Sequence, residues 1–148
     1  MKIIVDAMGG DNAPEAIVKG SVYARDRVGA ELVLVGRQEE IEKYLGEDRH
    51  GIEIVDAREV VSMEDDPSTA TRRKKDSSMT VALNLLKNGG GDAMVSAGST
   101  GALLTGATLI VKRVKGVRRA AMAPVLPSSE NGIMLIDCGA NAECTPEY

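Results

Sequence analysis

A chain that alternates short aliphatic runs with segments of helical spacing has few folds open to it, and this one alternates from its first residues. Lys2 to Ala7 has the pattern of a buried strand and stops at Met8-Gly9-Gly10. Asn12 then reads as an N-cap, with Pro14 in the first turn and Glu15 as its capping-box partner. Ile17, Ser21, Ala24 and Val28 follow at helical spacing, and Gly29 closes the helix. The unit repeats: Glu31 to Val35 is a strand, Gly36 turns it, Gln38 to Leu45 is a short helix and Ile52 to Val55 a third strand. Strands joined through helices pair in parallel, so the expectation is an α/β fold with a mostly parallel sheet.

The stretch from Arg58 to Asp76 breaks the rhythm. It carries acids (Glu59, Glu64, Asp65, Asp66), then Pro67, then the basic run Arg72-Arg73-Lys74-Lys75. At about twenty residues it is longer than most connections, which marks it as a functional or partner-contacting loop. Ser77 or Ser78 caps the next helix, which carries Val81, Leu85 and Leu86 and ends at Gly89-Gly90-Gly91. Ala93 to Val95 is a fourth strand. After the corner Ser96 to Gly101 a helix is expected through about Val114, apolar almost all round to Val111 and therefore deeply buried. Its last turn carries Lys112, Arg113 and Lys115, the sign the helix dipole favours there. Ile133 to Ile136 is a fifth strand, ending in Asp137-Cys138-Gly139-Ala140-Asn141. Thr145-Pro146-Glu147 has the form of a helix start one residue before the chain stops, so the 148 residues are expected to be a fragment of a longer chain.

Composition removes several function classes. A net charge of −4 lacks the broad basic field of a DNA binder, and three tyrosines with no Trp or Phe offer no stacking platform for bases. Nucleic acid is not an expected partner. The single histidine, His50 in an Arg49-His50-Gly51 turn, argues against a Ser-His-Asp relay and against a multi-histidine metal site. No metal and no cofactor is expected. The apolar runs Ala102 to Val111 and Ile133 to Ile136 are short for a membrane span, and the first residues resemble neither a signal nor a transit peptide. Cys138 and Cys144 fit a reducing cytoplasm, and Cys138, at a strand end, reads as a small buried hydrophobe.

In an open parallel sheet, ligands bind beyond the carboxyl ends of the strands. Three such ends carry polar, glycine-containing corners: Asp6 to Asn12, Ser96 to Gly101 and Asp137 to Asn141. In the second, Gly98 permits a tight turn, Gly101 lets the backbone approach a bound group, and Ser99 and Thr100 add hydroxyl donors. That corner is either an anion pocket or an ordinary capped turn; it is neither a Walker loop nor a G-x-G-x-x-G fingerprint. In the first, Gly9 and Gly10 suit close approach. Asp6 and Asp11 would position groups or act as acid and base, unless Asp11 or Asn12 simply caps the helix. Asp137 and Asn141 carry the same ambiguity with an Asx turn. The run Arg72 to Lys75 is either a solvated loop or a hold for an acidic or phosphorylated partner, and Lys112 to Arg119 is a second basic stretch.

Together these motifs resemble the bacterial phosphate acyltransferase family, PlsX. Val5-Asp-Ala-Met-Gly-Gly-Asp-Asn-Ala-Pro14 is similar to its N-terminal signature, and Arg72 to Met79, Ser96 to Ala102 and Asp137 to Asn141 match later blocks in order. Ser99 stands where an Asn is expected and Cys138 where an aliphatic residue is usual. The chain matches only the N-terminal half of such proteins, so residues 1–148 are expected to be part of a single domain whose C-terminal half is absent.

The resemblance implies a Rossmann-like three-layer α/β/α sandwich, related to isocitrate dehydrogenases and phosphotransacetylases and acting as a homodimer. It implies synthesis of acyl phosphate from acyl-acyl-carrier-protein and inorganic phosphate for phospholipid synthesis. Any membrane-surface attachment would lie in the missing half, and the fragment alone is expected to be inactive. The expected phosphate or substrate contacts are Gly10, Lys75, Ser78, Gly98, Ser99, Thr100 and Gly101, with Asp6, Asp11 and Asn141 as candidates to orient substrate. Arg72, Arg73 and Lys74 are the expected carrier-protein contacts. The alternatives are a phosphotransacetylase-type exchanger of acyl-coenzyme A and phosphate, or an inactive anion- or nucleotide-binding fragment.

Overall fold

A computed structural model describes residues 1–47, 49–128, 132–141 and 145. These fall into two compact units, residues 1–111 and 112–148.

The first unit is an α/β layer structure. β1 (Lys2–Asp6), β2 (Glu31–Gly36), β3 (Ile52–Asp56) and β4 (Ala93–Val95) form a parallel sheet in the order β3-β2-β1-β4. Alternate side chains of a strand face opposite sides, and here both sides are covered. Val5 and Leu34 face α1 (Glu15–Val28) and α2 (Gln38–Leu45), where Val18, Ile41 and Leu45 complete a buried cluster. Ile4, Val33 and Val35 face the opposite way, against Ala82 of α4 (Ser78–Lys87). Burying each such aliphatic side chain contributes about 1.5–3 kcal/mol. The expected three layers and parallel sheet are thus present.

Details of the helices differ from expectation. Asn12 is not the N-cap of α1; Pro14 occupies that position and no side chain caps the helix. Glu15 is itself the first helical residue and pairs with Lys19 at 2.5 Å, so no capping box forms. The buried face runs through Val18, Ser21 and Arg25, whereas Ala24 is exposed and Val28 is 64% exposed. Arg25 wins its inward place because its guanidinium donates to the His50 carbonyl at 2.7 Å.

The long connection closes on itself rather than straying. Glu59 pairs with Ser77 at its base, and α3 (Ala70–Arg73) lies within it. Val61 and Ala70 are buried against Met79, Leu83 and Ala102, so the loop has its own share of core. Ser77 caps α4, its Oγ accepting from the Thr80 N–H at 3.3 Å.

After α5 (Thr100–Gly106) the chain widens into a π-turn over Ala107–Val111, and Lys112 ends it at φ 75°. The single long helix expected to Val114 is therefore absent, and so is the deep burial. One side of the turn packs Ala107, Ile110 and Val111 on the Met79–Leu83 cluster, while Leu109 is 63% exposed.

In the second unit the expected fifth strand is only Ile133–Met134 (β6). It pairs antiparallel with β5 (Val125–Leu126) as a two-stranded ribbon outside the parallel sheet. All four residues of the ribbon are exposed. Cys138 is likewise exposed, contrary to its expected burial. The helix start expected at Thr145 to Glu147, and Cys144, lie outside the described residues apart from Thr145. Among the described residues no helix is long and apolar enough to cross a membrane.

Candidate functional site

Strand order places the site. The chain moves outward from β1 to β2 and β3, then returns to the other side of β1 with β4, so the order reverses between β1 and β4. The two connections leaving these strands diverge there, the place where open parallel sheets bind their ligands. The register Val5↔Val95 makes Asp6 and Ser96 the next residues on the two strands.

They meet. Ser96 Oγ donates to Asp6 Oδ2 at 2.7 Å, Met8 N–H donates to Asp6 Oδ1 at 3.3 Å, and Gly98 N–H donates to Ser96 Oγ at 3.1 Å. Asp6 is 1% exposed. Gly9 lies on this cluster: a Cβ there would sit 2.6 Å from Asp6 Oδ2, 2.9 Å from Gly98 N and 3.0 Å from Ser96 Oγ. Gly10, at φ +110°, runs against Ala97, whose carbonyl oxygen would be 3.2 Å from an added Cβ. Two of the three sequence-predicted corners therefore form one backbone-to-backbone surface.

The corner after β4 is organised as a helix start. Ser99 is buried and its Oγ accepts from Ala102 N–H at 3.4 Å, so this hydroxyl is the cap of α5. Leu103 N–H, donating to the Ser99 carbonyl at 2.9 Å, belongs to the opening turn of the helix. The amides of Thr100 and Gly101 precede that ladder, and Thr100 is exposed. Gly101 serves packing: an added Cβ would meet Pro67 at 3.0 Å. Met79 of α4 approaches Gly98 in the same way, at 3.3 Å. The long loop and the start of α4 thus border the corner.

A family profile described as "Fatty acid synthesis protein" matches residues 1–148, the whole chain. The chain belongs to the fatty acid synthesis protein family. Among the relatives of this family member is a phosphate acyltransferase of Clostridium kluyveri, 48% identical over 151 residues that cover 100% of this chain and 45% of the relative. One from Clostridium acetobutylicum is 46% identical over 152 residues (100% and 46%), and one from Desulfitobacterium hafniense 48% identical over 150 residues (100% and 45%). The chain spans less than half the length of these relatives. The resemblance read from its sequence blocks is borne out.

The remaining predicted residues of this fatty acid synthesis family chain are dispersed. Arg72, Arg73 and Lys75 are exposed along and just after α3, but Lys74 turns inward, with Nζ 2.6 Å from Asp65 Oδ2 and 2.8 Å from the Val60 carbonyl. Ser78 is buried, its N–H donating to the Glu59 carbonyl at 3.1 Å. Asp11 is exposed, and the next residue, Asn12, lines a groove of about 440 Å³ with Pro14, Glu15 and Tyr44.

Asp137 and Asn141 lie in the second unit and build an Asx-type turn. Asp137 accepts from Met122 N–H at 2.9 Å and from Asn141 N–H and Nδ2 at 2.6 and 2.8 Å, and Asn141 Nδ2 also reaches the Ala120 carbonyl at 3.1 Å. These donors, Met122 N–H foremost, hold the Asp137 carboxyl below the usual carboxylate value.

Sequence reasoning missed the pairing of Ser96 with Asp6 and the seating of Pro67 on Gly101. The first had a signal: both aliphatic runs close on Val followed by a small polar residue, Val5-Asp6 and Val95-Ser96, a match that becomes a contact once β1 and β4 are neighbours.

Proposed function

We propose that this chain is the N-terminal part of a phosphate acyltransferase, which converts acyl-acyl-carrier-protein and inorganic phosphate into acyl phosphate and free carrier thiol. The observation that carries the reading is the meeting of the β1 and β4 corners at the strand-order reversal, in a chain whose relatives of that name match its whole length.

The chemistry asks little of acid–base groups. Inorganic phosphate loses its second proton close to neutral pH, somewhat above a phosphoserine, so a large share is already dianion and its oxygen attacks the thioester carbonyl without a strong base. The protein's work is to hold the anion beside the electrophile and to meet the developing oxyanion with fixed donors. In this reading the corner Gly98 to Gly101 receives phosphate. The Thr100 hydroxyl and the Thr100 and Gly101 amides act as donors, because Gly98 N–H is already given to Ser96 and Ser99 is buried beneath the helix start it caps. Lys75, exposed on the bordering loop, supplies compensating charge, and Arg72 and Arg73 face the acidic carrier. The full-length protein acts as a cytoplasmic homodimer.

The test is Thr100→Val in the full-length protein. Loss of one such donor costs on the order of 100-fold in turnover, or appears as a raised KM for phosphate. Phosphate kinetics equal to the parent's would remove this corner from the mechanism. Parallel assays with coenzyme A and carrier-protein thioesters separate the proposed activity from a phosphotransacetylase-type exchange.

A further inference from the structure

We propose that Asp6 and Ser96 are a positioning pair that sets the corner after β4 for phosphate, a role that rests on the phosphate reading above. Asp6 has almost no solvent contact, and its two oxygens already accept from Ser96 Oγ and Met8 N–H. A carboxylate so enclosed is not presented to a substrate, and open to one it would repel a phosphate dianion. Its effect runs through its neighbour.

A serine hydroxyl has one proton and two lone pairs. With that proton committed to Asp6, Ser96 Oγ offers only lone pairs elsewhere, and Gly98 N–H takes one of them at 3.1 Å. The carboxylate makes the first bond charge-assisted and fixes the rotor. The sequence of bonds from Asp6 through Ser96 to Gly98 orients the peptide that leads into Ser99 and Thr100. It consumes one amide of the corner and leaves the next ones to an anion. Gly9 closes the arrangement from above, where any Cβ would lie within 3.0 Å of all three groups. The aspartate that reads as an acid–base candidate in the sequence is thereby a strut for the donors.

The experiment uses the full-length protein. First, residue-resolved hydrogen exchange is measured on the unmutated protein without phosphate. The pair predicts that Gly98 N–H exchanges more slowly than Thr100 N–H; equal rates would overturn it, whatever the enzyme's activity. Second, Ser96→Ala and Asp6→Asn are assayed. Both should raise KM for inorganic phosphate roughly tenfold, the scale of one hydrogen bond, with thioester KM and the pH profile of turnover unchanged. Both should also speed exchange of Gly98. A variant phosphate KM equal to the parent's, or a fall in kcat with loss of one limb of the pH profile, would overturn the positioning role. Thr100→Val separates the two claims. If it leaves phosphate kinetics untouched, the phosphate reading fails while the exchange order still judges the pair. If it raises phosphate KM and Ser96→Ala does not, the pair alone fails.

Discussion

Glycine does different work at different positions of this chain, and the neighbours of a missing Cβ tell them apart. At Gly9 an added methyl would be driven into a carboxylate oxygen and a backbone nitrogen, neither of which has room to yield. Gly9→Ala should destabilise the protein by about 1–3 kcal/mol. At Gly20, on the exposed side of α1, nothing lies within 4 Å of the same methyl, and Gly20→Ala should stabilise it by roughly 0.5–1 kcal/mol. Urea midpoints of the two variants are expected to move in opposite directions; a shift of the same sign for both would contradict the crowding at Gly9. At this scale the sequence marked Gly9 and Gly10 as places of close approach, which they are. It could not say that the approaching group is the Ala97–Gly98 backbone. Nor could it show that Gly101 makes room for Pro67, because both contacts depend on where distant segments land.

Strands and helices were legible where a local pattern decides them. Gln38 to Leu45 and Ala93 to Val95 have the expected bounds because each is a short aliphatic or amphipathic run closed by a glycine or a polar corner. The helix after β4 is shorter than its apolar run suggests, because that run says nothing about how many neighbours exist to cover it. The length of the long loop is legible in the sequence, but its closure is not: Lys74, in a run of four bases, gives its charge to Asp65 inside the same loop. That clip has a pH signature. The Lys74 ammonium, with the Ser62 N–H behind it, holds the Asp65 carboxyl below its ordinary value of 3.8. A depressed native pKa stabilises the closed loop fully above that ordinary value and ceases to do so as pH falls through the depressed one. Limited proteolysis between Ser62 and Arg73 should be slow at pH 5 and accelerate below about pH 4, while Asp65→Asn should be cut readily at both. Cleavage independent of pH in the parent protein would contradict the clip.

Over the whole molecule, a layered α/β fold followed from alternation alone, but strand order did not. That β4 returns beside β1 is set by packing on Ile4 and Val33, and only this order brings the first and second corners together. The third corner, Asp137 to Asn141, belongs to a separate compact unit, whose antiparallel ribbon no local pattern foretells. Charge also acts at this scale. With a net −4 these 148 residues would repel the acidic carrier of the proposed reaction, so in that reading a local basic run supplies the attraction. Reversing Arg72 and Arg73 to Glu in the full-length protein should weaken carrier binding at low salt and have little effect near 1 M, where the Debye length is about 3 Å. Equal weakening at both salts would contradict a steering role.

The most direct measurement is hydrogen–deuterium exchange of the full-length protein across a titration with inorganic phosphate. The account predicts that saturating phosphate slows exchange in the segments covering residues 8–12 and 97–102 together, with the Thr100 amide among the most protected. Protection confined to other segments, in a protein that still forms acyl phosphate, would contradict it.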